Sequence, residues 1–316
     1  MMGRAVNLLV GHTSLGDTGV TALVAEDPAG MAAAVDVRGG GPGTRETDLL
    51  EPHNTVERIN AVLLCGGSAF GLAAADGAMA ELEQRGAGFK VFGDELPGGP
   101  IVPIVPAAVI FDLAVGDPHH RPGPDDGAAA IRAAFASDGA EPETGSVGAG
   151  CGATAGVLRG GFGSAHAHIG QYTVWAYVVA NPVGSVIDPV SGKLYGDASY
   201  PAVDLEAFRS LTRPTPKLNT TIGVIATDAP LNKAQLKRLA MTGHDGIARA
   251  VRPAHSPLDG DTLFAVSVGE GKFEGGVDKQ TMLGEAAAGC VQAAIVNAVV
   301  TARTAHGATA WCDIAG

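Results

Sequence analysis

Positive charge, aromatic side chains and patterned cysteine are all scarce in this chain. Lys and Arg together number 21 against 33 acidic residues, for a formal net charge of -12. Binding to phosphate backbones or anionic lipid rests on Lys and Arg displacing counterions, so neither nucleic acid nor a membrane is expected as a partner. Aromatics make up 5% of the residues, which leaves Ala, Val, Leu and Ile to fill the interior. The four cysteines, Cys65, Cys151, Cys290 and Cys312, have no CxxC spacing. Cys65 and Cys290 lie in apolar runs, where a thiol behaves as a small hydrophobe, and a reduced, cytoplasmic protein is expected. The opening MMGRAVNLLVGHTSLGD has one Arg and only a short apolar stretch, so it lacks the h-region of a signal peptide. The longest apolar run, Thr281 to Ala302, contains Glu285 and is rich in Ala and Gly, which suits a packed helix better than a lipid-facing one.

What is present is apolar bulk and glycine. Hydrophobic residues are 46% of a 316-residue chain and charged ones only 17%, enough for a substantial core and compatible with one domain over 1–316. Gly occurs 46 times, about twice the average share, which implies many tight turns and close backbone approaches. Strands are expected at Val6–Val10, Val20–Ala25, Ala32–Val37, Ala61–Cys65, Val102–Leu113, Thr173–Asn181, Thr220–Thr227 and Thr262–Val268. Helices are expected at Leu72–Gln84, Asp126–Ala136, Lys233–Thr242, Gly246–Val251 and Lys279–Arg303. Asp188 to Lys217 is polar and Pro-containing and reads as an exposed connection, the place where a chain break fits best. Strands and helices mixed in this order predict an α/β or α+β layered sandwich, with sheets inside and helices outside.

The sharpest chemical feature is Asn219-Thr220, at the junction of that loose segment and an apolar strand. A cut there would leave Thr220 with a nucleophilic hydroxyl and, on the same residue, an α-amine of pKa about 7.7–8.0, a general base at neutral pH. The same residues also fit a loop turn ahead of a core strand. Asp259-Gly260-Asp261 places two carboxylates two residues apart, on one face if a strand begins there, where they could orient one ammonium. A solvated turn or a calcium-like site fits that spacing too. Gly66-Gly67-Ser68-Ala69-Phe70-Gly71 lies between a strand and a helix; it matches neither GxGxxG nor a nucleophile elbow, but its N–H groups could serve a site. His166 and His168 form an H-x-H pair with no third ligand set nearby, so a metal-dependent hydrolase is a rival reading. An uncut binding or regulatory protein is another.

Several motifs recur in one order: Arg38-Gly39-Gly40-x-Pro42-Gly43-Thr44-Arg45-Glu46-Thr47-Asp48, Leu64-Cys65-Gly66-Gly67-Ser68-Ala69-Phe70-Gly71, Pro103-Ile104-Val105-Pro106-Ala107-Ala108-Val109-Ile110-Phe111-Asp112, Asn219-Thr220-Thr221-Ile222-Gly223-Val224 and Asp259-Gly260-Asp261-Thr262. Together they resemble the DmpA-like family of L-aminopeptidase/D-esterases and β-aminopeptidases, which includes nylon-oligomer hydrolases. The resemblance implies an αββα four-layer sandwich and a precursor that cleaves itself into an α chain, 1–219, and a β chain, 220–316. It implies Thr220 as nucleophile, Asp259 and Asp261 holding its ammonium and hydroxyl, and Asn181 helping to stabilise the oxyanion. No cofactor or metal is implied, the substrate is a small peptide, amide or ester, and a homo-oligomer, a tetramer, is expected. Two departures stand out. Phe111 lies where relatives carry a catalytic-site Tyr, and Arg159 lies near the stretch where nylon hydrolases use a Lys.

Overall fold

Gly19–Ala25, Ala61–Cys65, Ile222–Thr227 and Thr262–Ser267 are buried along their whole length, and a strand buried on both faces needs a layer on each side. The computed structural model describes residues 7–93, 96, 98–212 and 218–316. It supplies those layers with two sheets in the middle and helices outside. The first sheet runs in the order β1 (Leu8–Ser14), β2 (Gly19–Ala25), β6 (Ala61–Cys65), β9 (Ala107–Val109), β4 (Thr44–Arg45). The second runs β12 (Gly161–Ile169), β13 (Tyr172–Ala180), β14 (Ile222–Thr227), β15 (Thr262–Ser267), β3 (Met31–Val37), β5 (Arg58–Ile59). Two small hairpins, β7 (Phe89–Lys90) with β8 (Ile101–Val102) and β10 (Thr154–Ala155) with β11 (Leu158–Arg159), complete the strands.

The alternation along each strand sorts side chains between layers. On β2, Val20, Ala22 and Val24 face α1 (Ala74–Gln84) and α2 (Pro124–Ala136), joining Leu63, Ala78, Leu82 and Ile131. Leu23 and Ala25 face the other way, into a core between the sheets with Val35, Phe162, Val179, Ile222, Val224 and Phe264. On the far side of the second sheet, Val174, Ala176, Val178 and Ile225 meet α4 (Lys233–Ala250) and α5 (Gly276–Val300) through Leu236, Ile247, Leu283 and Val291. The result is the expected αββα sandwich. By length and composition α5 could cross a membrane, but it packs on α4, β12 and β13 and buries Leu283, Ala287, Val291 and Ile295.

Several sequence expectations change. The strand foreseen over Val102–Leu113 is two short pieces, because Pro103 and Pro106 have no N–H to give a ladder. The helices foreseen at Lys233–Thr242 and Gly246–Val251 are one helix, α4, started by an Asn232–Gln235 capping box. Gly246 does not break it; a Cβ there would lie 2.2 Å from the Ala288 carbonyl oxygen, so the glycine lets α4 and α5 touch. The whole of β12 escaped the sequence reading, since Gly161 and Gly163 look like a loop. A Cβ on Gly163 would meet the Ala294 carbonyl oxygen at 2.0 Å, and glycine is what allows α5 to lie against the strand. The segment foreseen as exposed, Asp188 to Lys217, buries Leu194 and Val203 in the core and forms α3 (Leu205–Ser210); its last residues, 213–217, lie outside the described residues, as does Val6 of the first expected strand.

Candidate active site

The parallel pairing of β14 with β15 carries the segments just before them into register. Ile222 faces Thr262, and one bridge earlier Asn219 pairs with Asp259. Antiparallel pairing of β13 with β14 then brings Asn181, the residue after β13, beside Thr220. Thus Asn219, Thr220, Asp259, Asp261 and Asn181, scattered over the sequence, share one buried spot, each at most 5% exposed.

In this intact chain the Thr220 hydroxyl donates to the carbonyl oxygen of Asn219 at 2.5 Å. The same oxygen accepts the Gly260 N–H at 3.2 Å, and the Thr220 N–H donates to the Asn181 carbonyl at 2.8 Å. The peptide bond between Asn219 and Thr220 is therefore held at both ends. Gly260 has to be glycine here: a Cβ would come within 2.9 Å of Thr220 Oγ1 and 2.7 Å of the Gly41 carbonyl. The Asn219 side chain is also seated, its Nδ2 donating to the Thr154 carbonyl at 3.1 Å, to Asn181 Oδ1 at 3.1 Å and to Thr154 Oγ1 at 3.3 Å.

Among the described residues the two aspartates have no hydrogen-bond partner in common. Asp259 accepts N–H groups of Val183 at 2.8 Å and Ser256 at 3.0 Å. Burial, and then the charge of Asp261, hold its carboxyl above the usual range. Asp261 takes the Thr221 N–H at 2.7 Å and, on its other oxygen, the His255 N–H at 3.2 Å and ring Nδ1 at 2.8 Å. Neither carboxylate bonds Thr220 in the intact chain; Asp261 braces the backbone just after it through the Thr221 N–H, and Asp259 braces the neighbouring loops at Val183 and Ser256. Asn181 is engaged through both side-chain atoms in the intact chain. Its Nδ2 donates to the Phe111 carbonyl at 3.1 Å, while its Oδ1 accepts the Thr154 N–H at 2.8 Å. The N–H that reaches the Asn219 oxygen is that of Gly260.

The remaining sequence candidates lie elsewhere or act otherwise. The N–H groups of Gly66, Gly67 and Ser68 go to Gly19 O, Asp112 Oδ1 and Ile110 O, so none of the three is turned to Thr220. Asp112, also bonded by the Thr18 hydroxyl, is driven up to about 6 by burial. Phe111 contributes its carbonyl rather than its ring. Arg159 is fully buried and its Nη2 donates to the Cys151 carbonyl. His166 and His168 are exposed on β12 near its turn into β13, at the opposite end of the sheet from Asn181, with rings 5.6 Å apart. Among the described residues no group of three His, Cys, Asp or Glu converges as a metal site. Thr154 and His255 were missed in the sequence, where nothing local marks them, whereas Gly260, between the two aspartates, was visible there as a point of close approach.

Comparison with known proteins gives the family and the fold. The profile described as peptidase family S58 matches residues 6–311. An uncharacterized aminopeptidase of Mycobacterium leprae is 45% identical over 94% of this chain and 86% of its own length. A 6-aminohexanoate-oligomer endohydrolase of Kocuria sp. is 32% identical over 82% of this chain and 72% of its own. The solved L-aminopeptidase D-Ala-esterase/amidase of Ochrobactrum anthropi, described as a variant of the Ntn-hydrolase fold, superposes with a TM-score of 0.70 over 94% of this chain and 84% of that one, at 21% identity. The chain belongs to peptidase family S58, and it is an aminopeptidase-type hydrolase of amide bonds.

Proposed function

We propose that the chain cuts itself between Asn219 and Thr220 and then uses Thr220, as a new N-terminus, to hydrolyse small peptides, amides or esters. The observation that carries this reading is the buried contact of the Thr220 hydroxyl with the Asn219 carbonyl, whose oxygen also takes the Gly260 N–H. A hydroxyl so placed needs one side-chain rotation to present its oxygen to the carbonyl carbon. Oγ1 adds to that carbon, and the developing oxyanion keeps the Gly260 N–H as its donor. The C–N bond then breaks, the Thr220 nitrogen takes up the proton lost by the hydroxyl, and the peptide has become an ester. Water hydrolyses the ester, releasing the Asn219 carboxylate and regenerating the Thr220 hydroxyl. Leu218 is 40% exposed, which gives the freed end a way to solvent.

In turnover the Thr220 amine accepts the hydroxyl proton and Oγ1 attacks the substrate carbonyl. The leaving amine departs with that proton, and water cleaves the acyl-enzyme. Asp259 and Asp261 stand ready for the new ammonium, and the Asn181 carbonyl, which takes the Thr220 N–H before the cut, lies beside the amine that the cut creates. The name of the Kocuria relative supports a linear amide as substrate. A reducing, cytoplasmic setting fits four unpaired cysteines, and a homo-oligomer completes the reading.

The test is intact mass. Wild type should yield fragments 1–219 and 220–316, and Thr220→Ala one inactive chain of 31.6 kDa. Two fragments from Thr220→Ala, or a wild type that stays whole, would overturn the proposal.

A further inference from the structure

In the intact chain Asn219 stands where the acyl half of a substrate must stand, because its carbonyl is the one presented to Thr220. Its side chain therefore marks a subsite. Around Asn219 Nδ2 are three acceptors, the Thr154 carbonyl, Thr154 Oγ1 and Asn181 Oδ1, at 3.1, 3.3 and 3.1 Å. Among the described residues no donor bonds Asn219 Oδ1. Among the described residues the pocket thus offers acceptors to the nitrogen and no donor to the oxygen beside it. Such a site is built for a group with several N–H donors and no acceptor, which describes an ammonium better than an amide. Each acceptor is itself held. Asn181 Oδ1 is oriented by the Thr154 N–H and its Nδ2 by the Phe111 carbonyl, and Thr154 and Asn181 are both buried. Arg159, opposite Thr154 in the β10–β11 hairpin, turns its Nη2 to the Cys151 carbonyl.

We infer that, once residue 219 has withdrawn, Thr154 and Asn181 form the subsite for the terminal ammonium of the substrate's acyl group, at the distance set by the Asn219 side chain. The inference rests on the self-cleavage reading above. Counting from the carbonyl carbon, Asn219 places Cα, Cβ and Cγ before Nδ2, the same number of carbons that a 4-aminobutyryl group places before its amine. A 3-aminopropanoyl group is one bond short. An α-amine would fall instead where the Asn219 backbone nitrogen lies, with the Leu258 carbonyl as a single acceptor at 3.3 Å. Three buried acceptors against one long contact favour the 4-aminobutyryl chain. Thr154 is then a specificity residue for this amine.

The experiment compares kcat/KM of the processed enzyme for the p-nitroanilides of 4-aminobutyrate, 3-aminopropanoate, L-alanine, L-asparagine and butyrate, with uncatalysed release subtracted. The expected order puts 4-aminobutyryl first, at least tenfold above butyryl and above L-alanyl. Thr154→Val, which keeps shape and removes Oγ1, should reduce the ratio of 4-aminobutyryl to butyryl kcat/KM about tenfold, with the extent of processing read by mass on the same sample. An L-alanyl preference, equal rates with and without the amine, or asparaginyl as the best acyl group would overturn the subsite, and the wild-type series decides this whatever the processing of the variant. A cut wild type that hydrolyses butyryl anilide but ignores the amine overturns only the subsite; an uncut wild type overturns the reading beneath it.

Discussion

At the scale of single residues, the site is made by buried polar groups whose bonds all run to backbone or to one another. Asp112 illustrates what such burial does. Desolvation raises its carboxyl from 3.8 to about 6 in spite of bonds from the Gly67 N–H and the Thr18 hydroxyl. The folded protein therefore binds this proton more tightly than the unfolded chain. Its contribution to stability is complete below about pH 4 and is lost as pH rises through 6. Relative to Asp112→Asn, the wild type should lose on the order of 3 kcal/mol between pH 4 and 7.5. Urea unfolding of both proteins across that range measures it, and parallel curves would refute it. Residue identity made Asn219, Thr220, Asp259 and Asp261 visible as candidates at strand starts, where plain turns fit as well, and the resemblance of the ordered motifs to a known family singled them out. Their partners were not. Thr154 and Asn219 lie 65 positions apart and Asn181 and Phe111 lie 70 apart, and no local rule links them.

At the scale of elements, glycine decides how closely the layers approach. Gly246 on α4 faces the Ala288 carbonyl of α5 with no room for a methyl group. In an exposed helix Gly→Ala adds up to about 1 kcal/mol of stability. Here the clash dominates, and Gly246→Ala should destabilise by about 1–3 kcal/mol, seen as a lower urea midpoint with little change in slope. A more stable variant would mean that α4 and α5 can part without cost. The same feature explains the sequence reading's errors: glycines that permit packing of β12 and α4 look, in a one-dimensional string, like glycines that end an element.

For the whole molecule, sheet order matters most. The second sheet inserts β14 and β15, both beyond Thr220, between β13 and β3, both before it. Helix α5 also lies across β12 and β13. A cut at Asn219–Thr220 would sever one bond and leave these ladders and cores intact. We expect fragments 1–219 and 220–316 to elute together from a sizing column and to separate only in denaturant. Separation under native conditions would show that the shared sheet does not hold them.

Composition and alternation were sufficient by themselves to indicate a layered α/β sandwich, since apolar periodicity is a local property of the string, and the resemblance carried by the ordered motifs implied the αββα order, an amide hydrolase and most of the side chains at its centre. Which N–H faces the Asn219 carbonyl, what the aspartates brace, and what surrounds the Asn219 amide were decided by tertiary structure alone. Hydrogen bonds act over about 3 Å, and only strand pairing brings residues so far apart in sequence within that range.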